Sequence, residues 1–248
     1  MLEEMASNDI GSPGTDELFT TDEAVELYVE RIEDRELFPR EEKVLDRYFT
    51  ETDTRVLDIG CGVGRVASIL DDRGFEVTGI DISEPFVEKA RSLFPDIDFH
   101  VDDIKDTSFR KNTFDHAVFS YFGLDYILPE SNRRQALQEI RRILKPSGLF
   151  VFSTHNSWYP LVPHSARDVL SCGYHVLDLY LSKENRERFF SRRKVESVPL
   201  GEVEIYLANP LHQRRQLREC GFTPLEVVGK EEGLLRFFDR KPHFVAKA

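Results

Sequence analysis

Gly60, Gly62 and Gly64 follow the apolar run Val56-Leu57-Asp58-Ile59, and an acid, Asp81, closes a second run, Val77-Thr78-Gly79-Ile80. Such spacing can bind a nucleoside. Glycines let backbone approach a ligand closely and take positive φ without Cβ strain. The helix that follows offers unpaired N–H groups at its start. An acid about 20 residues further on is placed to take ribose hydroxyls. A dinucleotide fingerprint, Gly-x-Gly-x-x-Gly, would put its third glycine at position 65, where this chain has Arg65. A side chain there crowds the helix N-terminus where a pyrophosphate would sit. Asp58, just before the turn, suits a ligand with an amino group better than one with phosphates. A nicotinamide oxidoreductase is therefore disfavoured.

The run Val56-Leu57-Asp58-Ile59-Gly60-Cys61-Gly62-Val63-Gly64 resembles the first motif of the class I S-adenosylmethionine-dependent methyltransferases. Further matches follow in that family's order: Gly79-Ile80-Asp81-Ile82-Ser83, Val101-Asp102-Asp103-Ile104, Phe114-Asp115-His116-Ala117-Val118 and Leu144-Lys145-Pro146-Ser147-Gly148. The resemblance covers roughly 55–155 and, less specifically, the rest to the C-terminus. It implies S-adenosyl-L-methionine as cofactor, with S-adenosyl-L-homocysteine as product. It implies that Gly60, Cys61 and Gly62 contact the methionine part and that Asp81 holds both ribose hydroxyls, a charge-assisted contact. Asp103 would accept from the adenine amino group beside Ile104, and Ile82 would pack on the adenine face. Asp58 would orient the turn or reach the ammonium through water. Asp102 and Asp103 are adjacent, so only one can face the ligand; Asp103 is preferred.

The sulfonium is already activated, so methyl transfer asks the protein for binding and orientation, and an O–H or N–H nucleophile can also need a base. Doubly wound sheets place ligands at the carboxyl ends of their strands. Ser120-Tyr121-Phe122-Gly123-Leu124-Asp125-Tyr126 follows the fourth strand and Thr154-His155-Asn156 the fifth. Ser120 is expected at the cofactor, Tyr121 near the sulfonium, and His155 as base or substrate contact. Trp158, Tyr159 and Tyr206 are candidates for an aromatic substrate wall, with plain packing as the alternative. The fourth strand does not end in Asp/Asn-Pro-Pro-Tyr or Pro-Cys, which argues against common nucleic-acid base chemistries, and no metal-binding cluster is visible.

The elements that must position these residues alternate between strand and helix. Strands are expected at 55–59, 75–80, 97–101, 114–119 and 148–153, and helices at 64–72, from Pro85, and along Ala136, Leu137, Ile140, Ile143 and Leu144. Before them, Thr20 and Glu23 stand at capping-box spacing for a helix over 22–36, and Pro39 precedes a second helix. A sixth strand is expected at 203–207, a helix from Asn209-Pro210 to Gly221, and a terminal antiparallel pair at 222–228 and 243–246. The whole reads as an α/β, Rossmann-like, seven-stranded, mostly parallel sheet with an antiparallel last strand and helices on both faces. Residues 1–19 read as a flexible arm and 20–248 as one domain, with 157–200 a substrate-cover insertion before the sixth strand.

The chain has 248 residues, enough for one domain with a real core. Its 45 acids against 33 bases give a net charge of −12, which works against broad phosphate-backbone binding. The run Arg186 to Lys194 is a local exception and keeps an RNA (tRNA) base methyltransferase as runner-up, with a non-catalytic S-adenosylmethionine-binding protein as the reading from another class. No run is long and apolar enough to span a membrane, no signal peptide is evident, and Cys61, Cys172 and Cys220 form no framework. A cytoplasmic enzyme with a small-molecule acceptor is expected. The pattern sets no oligomeric state.

Overall fold

The computed structural model describes residues 19–32, 36–162, 172–174, 177, 181, 192–198 and 201–248. Residues 1–18 of the arm expected over 1–19, the helix end at 33–35 and most of 157–200 lie outside them.

Runs of β-branched and aromatic residues bounded by turns form the sheet strands β1 (Arg55–Ile59), β2 (Glu76–Asp81), β3 (Asp98–Val101), β4 (Phe114–Phe119) and β5 (Leu144–Ser153). All five are parallel. The order β3-β2-β1-β4-β5 shows that the chain runs outward from β1, then returns to pair β4 on its other side. That reversal opens a crevice at the carboxyl ends of β1 and β4, where such sheets bind ligands.

Helices α1 (Asp22–Ile32) and α2 (Pro39–Tyr48) precede the sheet, and α3 (Arg65–Asp72), α4 (Glu84–Leu93) and α5 (Glu130–Ile143) connect its strands. Val44, Leu45, Val66, Leu70, Val87 and Ala90 bury against one face of the sheet. Ala136, Leu137, Ile140 and Ile143 bury against the other. With both faces covered, strands read as continuous apolar runs such as Phe150-Val151-Phe152. Helix α1 begins after Thr21, whose Oγ1 accepts the Ala24 N–H at 3.2 Å, one residue later than the Thr20 spacing suggests.

The strand expected at 203–207 as the sixth of the sheet lies outside the sheet. Strand β7 (Gly201–Tyr206) is antiparallel to β6 (Arg193–Val198) in a separate two-stranded hairpin. Its alternation explains this: Val203 and Ile205 are buried against Phe19 and Tyr126, while Glu202 is exposed and Glu204 half-buried. That is a one-faced pattern, not that of a central strand. Helix α6 (Pro210–Glu219) follows, with Asn209 Oδ1 accepting the His212 N–H at 2.9 Å. The sheet is completed by β8 (Thr223–Val228) and β9 (His243–Lys247), with β9 antiparallel to both β5 and β8. Seven strands result, the last one reversed.

Candidate active site

Two adjoining cavities of about 460 and 340 Å3 open at the carboxyl ends of β1, β2 and β4 and share Tyr28, Gly60, Gly62, Ser120 and Tyr121. Gly60, Gly62, Asp81, Ile82, Asp103, Ile104, Ser120 and Tyr121 line the larger one. Asp58 and Cys61 join the glycines at the smaller. Of the residues expected to bind the cofactor or act in catalysis, His155 alone lines neither cavity.

The glycine turn is built backbone first. Gly60 has φ +61°, and a Cβ there would stand 2.8 Å from the Phe119 ring, so no other residue fits without displacing it. Gly62 has φ +54°, and a Cβ there would meet nothing within 4 Å. The space beside it belongs to the cavity. Cys61 N–H donates to the Ile80 carbonyl at 3.0 Å, and Gly62 N–H to Asp81 Oδ2 at 2.9 Å, locking the turn to β2. Asp81 Oδ1 accepts the Ser83 N–H at 2.9 Å. Each carboxylate oxygen retains a lone pair after one such bond, and Asp81 borders the cavity. Burial raises its pKa against the pull of these N–H groups.

Asp58 is 2% exposed, and its Oδ2 accepts the Ala67 N–H at 3.0 Å, so the strand caps the first turn of α3 from outside the helix. Burial pushes this carboxyl up to about 7, against the pull of Arg65 and the Ala67 N–H. Cys61 is buried, and burial together with Asp58 and Asp81 lifts its thiol well above the ordinary range. Its reactivity as a thiolate is suppressed, which leaves its backbone as the useful part.

Asp102 Oδ1 accepts the Asp103 N–H at 2.9 Å, and its Oδ2 accepts from Ser108 N and Oγ at 3.3 Å, which makes it a turn cap. Asp103 accepts the Lys105 N–H at 2.9 Å and stands 3.2 Å from Lys105 Nζ. Ile82 is 51% exposed, an apolar side chain left uncovered at the cavity. The N-terminal segment covers the opening. Phe19 packs edge-on to Tyr28 and Tyr126, Tyr28 to Phe86 and Tyr121, and Phe38 stacks on Tyr121 at 5.9 Å.

Beyond β4 the backbone is strained. Tyr121 and Phe122 have φ +51° and +66°, and two successive non-glycine residues in the left-handed region need support from their surroundings. Phe122 N–H donates to Ser153 Oγ at 2.9 Å, and its ring lies 4.5 Å from that of His155. His155 thus sits behind the turn that carries Tyr121. Its N–H and ring Nδ1 meet Asp125 Oδ2 at 2.7 and 3.0 Å.

Asp125 and Arg133 are both fully buried, with Arg133 Nη1 3.2 Å from Asp125 Oδ1. Arg133 also donates to the Leu124 carbonyl, Gln213 and Gln216, and lies 4.6 Å over the Tyr206 ring. Thr154 Oγ1 donates to Asp125 Oδ1 at 2.7 Å. Sequence reasoning placed Asp125 only within the stretch after the fourth strand and gave Arg133 no role. Arg133 lies in a charged stretch, Glu130-Ser131-Asn132-Arg133-Arg134, that gives no hint of burial.

Trp158, Tyr159 and Tyr206 line neither cavity. Trp158 stacks on Phe238, and the Tyr206 hydroxyl bonds His212 Nε2 at 2.8 Å. Of the basic run, 186–191 lies outside the described residues. Arg192 pairs with Glu130 at 3.0 Å and Arg193 with Glu204 at 3.6 Å, so both cations already face acids.

A methyltransferase-domain family model matches residues 56–148. YqeM of Bacillus subtilis (strain 168), named as a methyltransferase, is 33% identical over 202 residues, 73% of this chain and 81% of that one. A protein of Geobacillus sp. (strain WCH70), also named as a methyltransferase, is 31% identical over 207 residues, covering 75% and 81%. Among solved structures, the PH0226 protein of Pyrococcus horikoshii OT3 superposes with a TM-score of 0.62 at 26% identity, covering 92% of this chain and 94% of that one. The chain belongs to the class I S-adenosylmethionine-dependent methyltransferases. It is a methyltransferase, and S-adenosylmethionine is its cofactor. The turn fits that group: Gly62 has an open side, and Asp81 keeps lone pairs free to accept from a vicinal diol.

Proposed function

We propose that this enzyme moves a methyl group to an oxygen or nitrogen of a small-molecule acceptor in the cytoplasm. When bound, the cofactor supplies an electrophilic methyl on sulfur. The chain's own residues bind, orient and exclude water. In this reading Asp81 takes the ribose hydroxyls, Ile82 and Ile104 flank the adenine, and Asp103 accepts from its amino group. Gly60, Cys61, Gly62 and Ser120 present backbone and hydroxyl to the methionine arm. Asp58 orients the turn through Ala67, which its direct bond to that N–H supports.

Tyr121 is the catalytic candidate, because it lines both cavities on a strained turn. The acceptor-base role for His155 gives way to positioning: its ring braces Phe122 and is held by Asp125. The observation that carries the small-molecule reading is the set of aromatic side chains, Phe19, Tyr28, Phe38 and Tyr121, that pack on one another along the cavities. The hairpin supports a cover role for the region before β8, since Val203 and Ile205 pack on Phe19 and Tyr126. All three cysteines are free thiols, as a reducing compartment requires.

The test is transfer of tritium from methyl-labelled S-adenosylmethionine to small-molecule extracts and, separately, to total RNA. Label in small organic products supports the proposal. Label in RNA alone would overturn it in favour of the RNA reading.

A further inference from the structure

Resting on the methyl-transfer reading, we propose that the acceptor is an uncharged molecule carrying its nucleophilic hydroxyl on an aromatic ring. Its ring would sit in the chamber formed by Phe19, Tyr28, Tyr121 and Tyr126.

These four side chains line the larger cavity and form a connected set: Phe19 meets Tyr28 at 6.2 Å and Tyr126 at 5.6 Å, and Tyr28 meets Tyr121 at 6.2 Å, all edge-on. Edge-on neighbours hold their planes at steep angles, so a flat guest can meet one ring face-on and another edge-on, both favourable geometries at centroid separations of about 4.5–7 Å. The set is also held in place. Ser83 Oγ donates to the Phe19 carbonyl at 2.8 Å, and buried Val203 and Ile205 stand behind Phe19 and Tyr126. None of the four belongs to the group around Asp81 and Asp103 that the nucleoside would use.

Charge narrows the guest further. Among the described residues, the cation lining the larger cavity is Lys105, which is 3.2 Å from Asp103. The cation of the smaller cavity is Arg65, bound through both guanidinium amines to Glu41 at 2.9 Å and to the Glu36 carbonyl. A carboxylate or phosphate on the acceptor would have to break one of these pairs. A cationic acceptor would lie beside the sulfonium and be repelled by it, while Asp81, Asp102 and Asp103 lie in the part of the cavity that the nucleoside would use. A neutral ring avoids both costs. In the transfer, the aryl oxygen bonds to the methyl carbon, the carbon–sulfur bond breaks with its electron pair passing to sulfur, and the phenolic proton leaves to water.

The experiment is calorimetric titration of the full chain, first with S-adenosylhomocysteine and then, with that product saturating, with three probes. These are 2-naphthol, 2-naphthoate (the same rings with a charge) and decahydro-2-naphthol (the same hydroxyl without aromaticity). Each aromatic contact is worth about 0.5–1.5 kcal/mol, so naphthol should bind about tenfold more tightly than either comparator. Tyr126→Leu should reduce naphthol affinity about fivefold at saturating product. Homocysteine-nucleoside binding with naphthol no better than the comparators would overturn the aromatic assignment and leave the methyl-transfer reading standing. Failure of S-adenosylhomocysteine itself to bind would overturn both.

Discussion

The Gly62 N–H donates to the Asp81 carboxylate at 2.9 Å, so the glycine turn after β1 and the acid at the end of β2 form one unit. Any side chain at Gly62 would point into open space at φ +54°. Gly62→Ala is therefore expected to cost only about 1 kcal/mol of stability, the left-handed penalty. It should weaken S-adenosylhomocysteine at least about tenfold by filling the cradle. Calorimetry and urea unfolding on one preparation separate the two. Unimpaired binding would show that the ligand does not approach Gly62.

Two buried groups should set opposing pH dependences. Asp58 is pushed up to about 7 by burial, so the folded state keeps its proton where the unfolded chain has lost it. Its stabilising contribution is complete below the unfolded value near 3.8 and is lost as pH rises through 7. His243 is pushed down to about 4, also by burial, so its contribution is complete above 6.5 and lost as pH falls toward 4. Asp58→Asn removes the first effect and keeps the second. Between pH 5 and 8 the variant should gain about 2–3 kcal/mol relative to the parent in urea unfolding. Parallel profiles would mean that Asp58 stays ionised throughout.

Asp125 and Arg133 form an ion pair without solvent contact. Removing one partner strands a buried charge, so Arg133→Met should cost about 3–5 kcal/mol in urea unfolding. Asp125→Leu combined with Arg133→Met should recover much of that loss, because apolar replacement of a whole buried pair is often neutral. If Arg133→Met costs under about 1 kcal/mol, the network does not brace the Tyr121 turn.

The sheet and the glycine turn were legible because they follow local rules. Strands covered on both faces read as apolar runs, and a glycine turn needs its residues in consecutive positions, as from Asp58 to Gly64. The strand at 203–207 was legible as a strand, but its membership of the sheet was not. Only the alternation of Val203 and Ile205 with Glu202 and Glu204 hinted at a one-faced hairpin. His155 stood at the right strand end, yet the φ +51° and +66° turn at Tyr121 and Phe122 interposes a ring between it and the cavity. The aromatic cover combines Phe19 with Tyr126, more than 100 residues apart, and no local period reports such a meeting. Burial of Arg133 depends on five partners, Leu124, Asp125, Tyr206, Gln213 and Gln216, drawn from three separate stretches of chain, and nothing in its neighbours in sequence encodes that.

The most direct test of the cofactor site is calorimetric titration of the parent and Asp81→Ala with S-adenosylhomocysteine, with NADH as control. Hydrogen bonds to a charged group are worth about 1.5–3 kcal/mol, so the parent should bind the sulfur nucleoside and the variant should lose about tenfold to a hundredfold. Neither should bind NADH. Equal affinities in parent and variant, or binding of NADH alone, would contradict the assignment of Asp81 to the ribose.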